Sequence, residues 1–437
     1  MSDPPRNPTD ARLVLALGIL LGVVGIAATA ARHPKMVGMD FQVYYFAAEA
    51  LLSGGDFYVA SPPAHPTYGY VYPPVTLPAF VPFVLLGSWQ AGFAAFTLLN
   101  VGAALGAAVL LVRWVEAYRP TPLPWLDRGL VAGFTLLSLH SASTLLYGET
   151  NFLLLLALVA GFWWLDGGGS GAENRGESKA GVAFALPAVV KLFPAAVGVW
   201  LLRRRAWRTI GAATVTGTGL FALGVGVFGV ETHLTFLEVA VAPRLSSSEF
   251  AGGLPAGATL LTLRRPISVL LPNLSSSLYG PLSFALLAPV VWYCYRRVPW
   301  SSSGPDSRPD SGPISGSSSD PIPRLIAIFA TMAAIVVGFP SLLLYFVYLL
   351  FPMIPLLYLL ERGPARKLFV SGALVADFAV TLANVRAALA GTPGEGLLPI
   401  LDPVLTLATP PLYGTVAMLG ACLLYLRGRE PTPADPS

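Results

Sequence analysis

Long apolar runs separated by short, arginine-rich polar stretches make up most of this chain. The runs cover 13–31, 90–112, 129–147, 150–165, 180–192, 194–202, 208–228, 279–296, 324–338, 342–360, 367–386 and 404–426. Several reach the roughly 20 residues that cross a bilayer as a helix. The first is too long for a removed signal peptide and lacks a small-residue cleavage site, so it is expected to stay as a span. Residues 70–88 differ: Pro73, Pro74, Pro78 and Pro82 interrupt them, which predicts a broken helix at the outer interface. Residues 180–202 are expected to form a hairpin of two short helices around Lys191 and Pro194. Between 40 and 53, Phe41, Tyr44, Tyr45, Ala48, Leu51 and Leu52 recur at helical spacing. Gly54 and Gly55 stop that helix, which is expected to lie flat on the membrane.

Composition confirms the class. Apolar residues make up 54% of the 437 and charged residues 11%, against about 25% charged in soluble domains. Mean hydropathy is +0.66. One all-α polytopic integral membrane domain over 1–437 is expected, with no large soluble catalytic domain. Arginines between the runs place both termini in the cytosol and give about twelve spans. Residues 32–89 then form an outer loop with interfacial helices. Residues 229–278 form a second outer loop carrying His233, Arg244, Arg264 and Arg265. Residues 298–323, rich in Ser, Gly, Pro and Asp, read as a disordered cytosolic linker. The net charge of +4 is spread over the loops and points to no nucleic-acid partner. Cys294 and Cys422 lie in apolar runs as small buried residues. The four histidines are scattered and offer no metal site.

Against this background a few polar residues stand out. Asp40 falls just beyond the first span, where a carboxylate at the water boundary suggests a site. It could serve as a general base or as the cap of the following helix. Glu49 and Asp56 are the alternative carboxylates. Lys191 sits among Val189, Val190, Leu192 and Phe193, where it needs an anion, a wet cavity or a route to the headgroups. Arg264 and Arg265 could fork onto phosphate oxygens or be solvated. Glu149 and Asn151 begin a helix, as caps or as partners for sugar hydroxyls. Tyr44, Tyr45, Tyr68, Tyr70 and Tyr72 suit an interfacial belt or a sugar platform.

Four motifs occur in order: Asp40-Phe41-x-Val43-Tyr44-Tyr45-x-Ala47-Ala48-x-Ala50-Leu51-Leu52-x-Gly54; Tyr72-Pro73-Pro74; Gly148-Glu149-Thr150-Asn151; and Lys191-Leu192-Phe193-Pro194 followed by Leu202-Arg203-Arg204-Arg205. Together they resemble glycosyltransferase family 87, over roughly 10–210 and more weakly to about 360. The resemblance implies a GT-C membrane fold with its active site on the outer face of a cell membrane. It implies transfer of a hexose, mannose first, from a polyprenyl or dolichyl monophosphate to a hydroxyl of a glycolipid or glycan. The reaction is expected to be a single displacement with a carboxylate base and no cofactor. Asp40 would be the base; Lys191, Arg264 and Arg265 would bind the lipid phosphate. Glu149, Asn151, Tyr44, Tyr72 and Tyr345 would bind sugar or acceptor. The chain departs from the family in two places. Glu149 stands where Gln is common, and Phe339, Leu343 and Tyr345 stand where many members carry a Ser-Pro-x-Ser-Trp-x-His pattern. A secondary transporter or lipid flippase is the rival class; it predicts matched inverted halves, and none is visible.

Single cysteines at Ser61 and Ser311 test the topology. The first is expected to react with an impermeant thiol reagent from outside, the second only after permeabilisation. The reverse pattern would overturn it.

Overall fold

The computed structural model describes residues 9–166, 173–243, 248–250, 253–298 and 320–429. Arg244 and residues 299–319 of the linker expected at 298–323 lie outside the described residues. Every regular element among them is helical, apart from one isolated bridge between Leu260 and Leu342.

Four helices are long and apolar enough to cross a membrane: α1 (Thr9–Arg32), α3 (Trp89–Ala117), the helix Trp207–Val241 and Ser276–Arg296. Two further pairs qualify if each bent pair is one span, bent by 49° after Leu137 and by 65° after Leu407. The protein is therefore a polytopic helical membrane protein. Between α1 and α3, α2 (Met39–Leu52) is followed by a 3₁₀ turn (Pro74–Phe80) and one α-turn (Val81–Val84). That break follows from the prolines, which lack the N–H an α-ladder needs. The first bent pair is α4 (Trp125–Leu137) and α5 (Leu139–Tyr147); α6 (Asn151–Leu165) and α7 (Glu173–Lys191) follow. After a 3₁₀ turn (Phe193–Ala196) come α8 (Val197–Arg204), α9 (Trp207–Phe236), α10 (Arg264–Leu270) and α11 (Tyr279–Arg296). The remainder is α12 (Ile322–Gly338), a 3₁₀ stretch (Leu343–Leu349), α13 (Leu350–Leu359), α14 (Pro364–Ala376), α15 (Leu382–Leu389), α16 (Leu398–Leu407) and α17 (Pro410–Arg427).

The short apolar helices sit inside and the long ones outside. Every residue of Leu350–Leu359 is buried, as are nearly all of α12. By contrast, only 6% of the most apolar window of 207–241 is buried within the protein. Val215, Phe221, Leu223, Val227 and Val230 project outward there, as lipid-facing side chains do.

Small residues set the closest approaches. A Cβ on Gly22 of α1 would lie 1.8 Å from the Leu137 carbonyl oxygen, so α1 fits directly against the bend between α4 and α5. α14 and α17 meet at Gly372 and Gly414, where a Cβ on Gly414 would come within 2.3 Å of the Gly372 carbonyl.

Two buried carboxylates tie down the arginine-rich end. Arg12 forks onto Asp127 at 3.0 and 2.7 Å, and the Tyr358 hydroxyl donates to Asp127 at 3.0 Å. At the far end of α6, Arg204 and Arg324 both pair with Asp166. Asn151, at the other end of α6, meets Lys191. The chain therefore ascends along α7 and returns through 193–204, a hairpin at Lys191 whose first arm is a 19-residue helix from Glu173 and not the short helix expected from 180.

Three expectations need correction. The loop expected to start at 229 continues as helix to Val241, through a break at Gly229 with φ of +81°. The run 367–386 is interrupted after Ala376 and restarts at Leu382. Arg264 and Arg265 are not solvated loop residues but are 5% and 2% exposed.

Gly414→Val is expected to lower stability by about 1–3 kcal/mol, the usual cost of overpacking. Thermal unfolding of the purified protein in detergent reads this directly. An unshifted midpoint would contradict the backbone contact between α14 and α17.

Candidate active site

The site is built on the turn between α5 and α6. Gly148 ends α5 in the left-handed region, with φ of +74°. A Cβ there would lie 2.6 Å from the Cβ of Phe41, so glycine both makes the turn and admits α2 against it. Gly38, also left-handed at φ of +70°, is the N-cap of α2. Its N–H donates to the Leu146 carbonyl at 2.7 Å, fastening the start of α2 to the end of α5. Asp40 is thus in the first turn of α2, not at its cap, and the capping alternative falls. The helix dipole favours a carboxylate at that place.

Glu149 is the hub. Its Oε2 accepts from Lys191 Nζ at 3.0 Å, Tyr44 at 3.1 Å, Tyr72 at 3.4 Å and the Thr150 N–H at 3.1 Å. The Tyr44 and Tyr72 hydroxyls lie 3.1 Å apart. The Lys191 and Glu149 side chains are only 3% and 7% exposed. Lys191 also donates to Asn151 Oδ1 at 2.9 Å and to the Tyr345 hydroxyl at 3.3 Å, so its three protons are all engaged. Its ammonium lies 4.4 Å from the Tyr345 ring centroid, within cation–π range. Neither Glu149 nor Asn151 caps α6, whose N-cap is Thr150.

Lys191 is the last residue of α7, and Leu192 follows with φ of +57°. A non-glycine residue there costs about 1–3 kcal/mol and persists only where its surroundings impose it. The reversal ends α7 at the level of Glu149, so that Lys191 points at the hub.

Asp40 lies beside this cluster with a half-buried side chain. Burial first, and the Glu149 carboxylate second, hold it well above the usual carboxylate range, while Lys191 pulls the other way. Burial likewise raises the Tyr44 and Tyr72 phenols, with Glu149 adding to it, so both stay protonated. Glu49 and Asp56 are exposed and do not join the cluster; Asp56 instead accepts from the Tyr58 N–H at 2.9 Å.

Seven residues singled out in the sequence therefore converge: Asp40, Tyr44, Tyr72, Glu149, Asn151, Lys191 and Tyr345. Arg265 turns elsewhere. Arg265 donates to the carbonyls of Thr406, Ala258 and Leu405 at 3.0, 3.2 and 2.7 Å, so its fork is closed by backbone. Arg264 packs its guanidinium against Gly280. Tyr348 is a member that the sequence reading missed; its hydroxyl donates to Asn151 Oδ1 at 2.7 Å. The available signal was the pair Tyr345 and Tyr348, three apart in an apolar run, which a 3₁₀ helix places on one edge.

A helical membrane protein with a lysine, two carboxylates and phenols gathered at the ends of α5, α6 and α7 fits the class of membrane group-transfer enzymes. This chain belongs to glycosyltransferase family 87, whose profile matches residues 70–306. A polyprenol-phosphate-mannose-dependent alpha-(1-2)-phosphatidylinositol pentamannoside mannosyltransferase of Mycolicibacterium smegmatis is 28% identical over 256 residues. The alignment covers 54% of this chain and 56% of that relative, little more than half of each. No solved structure matches the chain. The profile match takes in Tyr72, Glu149, Asn151 and Lys191, whereas Asp40, Tyr44, Tyr345 and Tyr348 lie outside it.

Removing one partner of a buried ion pair costs about 3–5 kcal/mol because the other charge is left uncompensated. Lys191→Met is expected to approach that loss, offset in part by the donors Tyr44, Tyr72 and Thr150. Adding Glu149→Gln should restore most of it. A double variant as unstable as the sum of the single variants, by chemical unfolding, would show that the two do not act as a pair.

Proposed function

We propose that this protein transfers a hexose, most simply mannose, from a polyprenyl monophosphate to a hydroxyl of a glycolipid or glycan at the outer face of a cell membrane. In this reading the chain has a GT-C fold of about twelve crossings, with both termini in the cytosol. The observation that carries the proposal is the meeting of Asp40 with the Glu149–Lys191 pair at the helix ends. Family membership supports the reaction class, and the mycobacterial relative's name supports the donor.

The chemistry is one displacement. Asp40 takes the proton of the acceptor hydroxyl as its oxygen forms a bond to the anomeric carbon. The bond from that carbon to the phosphate oxygen breaks, and the polyprenyl phosphate leaves with the electron pair. Asp40 suits the base role because, among the described residues, its carboxylate accepts no hydrogen bond. Lys191 offsets the charge that grows on the leaving phosphate. All its protons already have partners, so the phosphate displaces the longest contact, that to the Tyr345 hydroxyl at 3.3 Å. The four contacts of Glu149 fall on Oε2. Oε1 is then the atom that accepts from a sugar hydroxyl, with Asn151, Tyr44 and Tyr72 around it. Arg265 drops out of the phosphate site in this account, because its fork is closed by carbonyls. The polar groups cluster at helix ends, while a carrier places its site in unwound helices at the midplane.

The test incubates purified protein with polyprenyl-phosphate-mannose and membrane extract, and identifies the product by mass. Asp40→Asn should stay folded and bind donor, yet lose roughly two or more orders of magnitude in transfer, the range for a lost general base. The pH dependence has a defined sign. A base must be ionised, and the resting carboxylate is held above the usual range, so kcat/KM should climb with pH along a limb lying above the ordinary aspartate value of about 3.9. Near-parental turnover by Asp40→Asn, with the limb intact, would reject the assignment.

A further inference from the structure

α2 has a second functional face. Residues two apart on an α-helix point about 200° apart, so Asp40 and Tyr44 share one side while Gln42 and Phe46 occupy the other. That other side lines a cleft of about 380 Å³, together with Pro34, Lys35, Pro63 and Trp89. The volume is that of a small-ligand pocket.

Gln42 is the unusual member. It is 4% exposed, and its carboxamide makes no hydrogen bond among the described residues. A carboxamide has two donor hydrogens and an acceptor oxygen, and buried polar groups are ordinarily satisfied. This one opens into the cleft. The surrounding wall is fixed. His65 Nε2 lies 2.8 Å from the Lys35 carbonyl oxygen, holding the 34–36 turn against the 62–65 segment. Trp89 rests on Gly38, where a Cβ would come within 3.2 Å of the indole. The same left-handed glycine therefore starts α2 beside the reaction site and admits the indole that walls the cleft.

We propose that this cleft is a second carbohydrate subsite, holding a non-reacting sugar of the acceptor while another hydroxyl of the same glycan reaches Asp40. Trp89 and Phe46 offer ring surface to the C–H face of a pyranose. The Gln42 carboxamide donates to and accepts from a pair of adjacent hydroxyls, and Lys35 donates from the rim. The cleft and Asp40 are separated by a helix diameter, about 10 Å, so an oligosaccharide can touch both and a single hexose cannot. The inference rests on the proposed glycosyl transfer, because it supplies the acceptor's binding determinant.

Binding of α-mannotriose to the full-length protein in lipid nanodiscs, followed by ligand-observed NMR, tests this without turnover. Gln42→Leu and Trp89→Ala should each weaken binding tenfold or more. Retained donor binding shows that each variant is folded. In transfer assays the same two variants should raise KM for a three-mannose alkyl glycoside about tenfold and leave the one-mannose glycoside unaffected. Absent mannotriose binding, equal binding by the parent and both cleft variants, or a response to inorganic phosphate instead of sugar would overturn the subsite. If transfer from the lipid-phosphate donor fails while the binding contrast holds, the reaction assignment falls and the carbohydrate cleft stands.

Discussion

A buried ammonium facing a buried carboxylate organises this protein. Lys191 and Glu149 are both withdrawn from solvent, and two such charges are tolerable only together and with their remaining hydrogen-bonding capacity met. The structure meets it from five directions: α2 brings Tyr44, the Pro-rich segment Tyr72, α6 Asn151, α7 the lysine itself, and the 343–349 stretch Tyr345 and Tyr348. Elements far apart in sequence are thereby held to one point. The left-handed residues at 38, 148 and 192 are the backbone cost of that convergence.

The opposite end uses the same device for a different purpose. Asp127 is fully buried and is met by Arg12 and Tyr358, and Asp166 is shared by Arg204 and Arg324. The first set ties α1, α4 and α13 together, and the second ties the end of α6 to α8 and α12. At the Lys191 end, Asp40 and the second oxygen of Glu149 accept no hydrogen bond among the described residues.

Packing between the two ends follows length. Helices too short to cross a bilayer alone, such as Asn151–Leu165 and Leu350–Leu359, are wrapped by longer ones whose apolar faces turn outward. Where backbones must touch, Gly22, Gly372 and Gly414 allow it, and close contact between small residues takes the place of the hydrophobic drive that lipid removes.

Local chemistry made much of this readable in the chain. Apolar runs of membrane length, the proline breaks at 73–82, the helix over 40–53 and the hairpin around Lys191 each depend on neighbours in sequence. A lysine among valines and a carboxylate beside a first span announced a site because burying charge is expensive wherever the chain folds. Tertiary structure alone decided which polar residues share that site. Arg265 carries the same fork that a phosphate would need, yet it meets the carbonyls of 405 and 406, more than 100 positions away. Tyr348 looked like one aromatic among many until Asn151 came within 2.7 Å. Gln42 and Phe46 belong to the same helical turns as Asp40 and Tyr44, and only the packing of Trp89 against Gly38 gives them a cleft to face. Hydrophobicity and backbone propensity act over a few residues and survive in the sequence. Hydrogen-bond partnership is settled between segments, because it depends on distances that only packing sets.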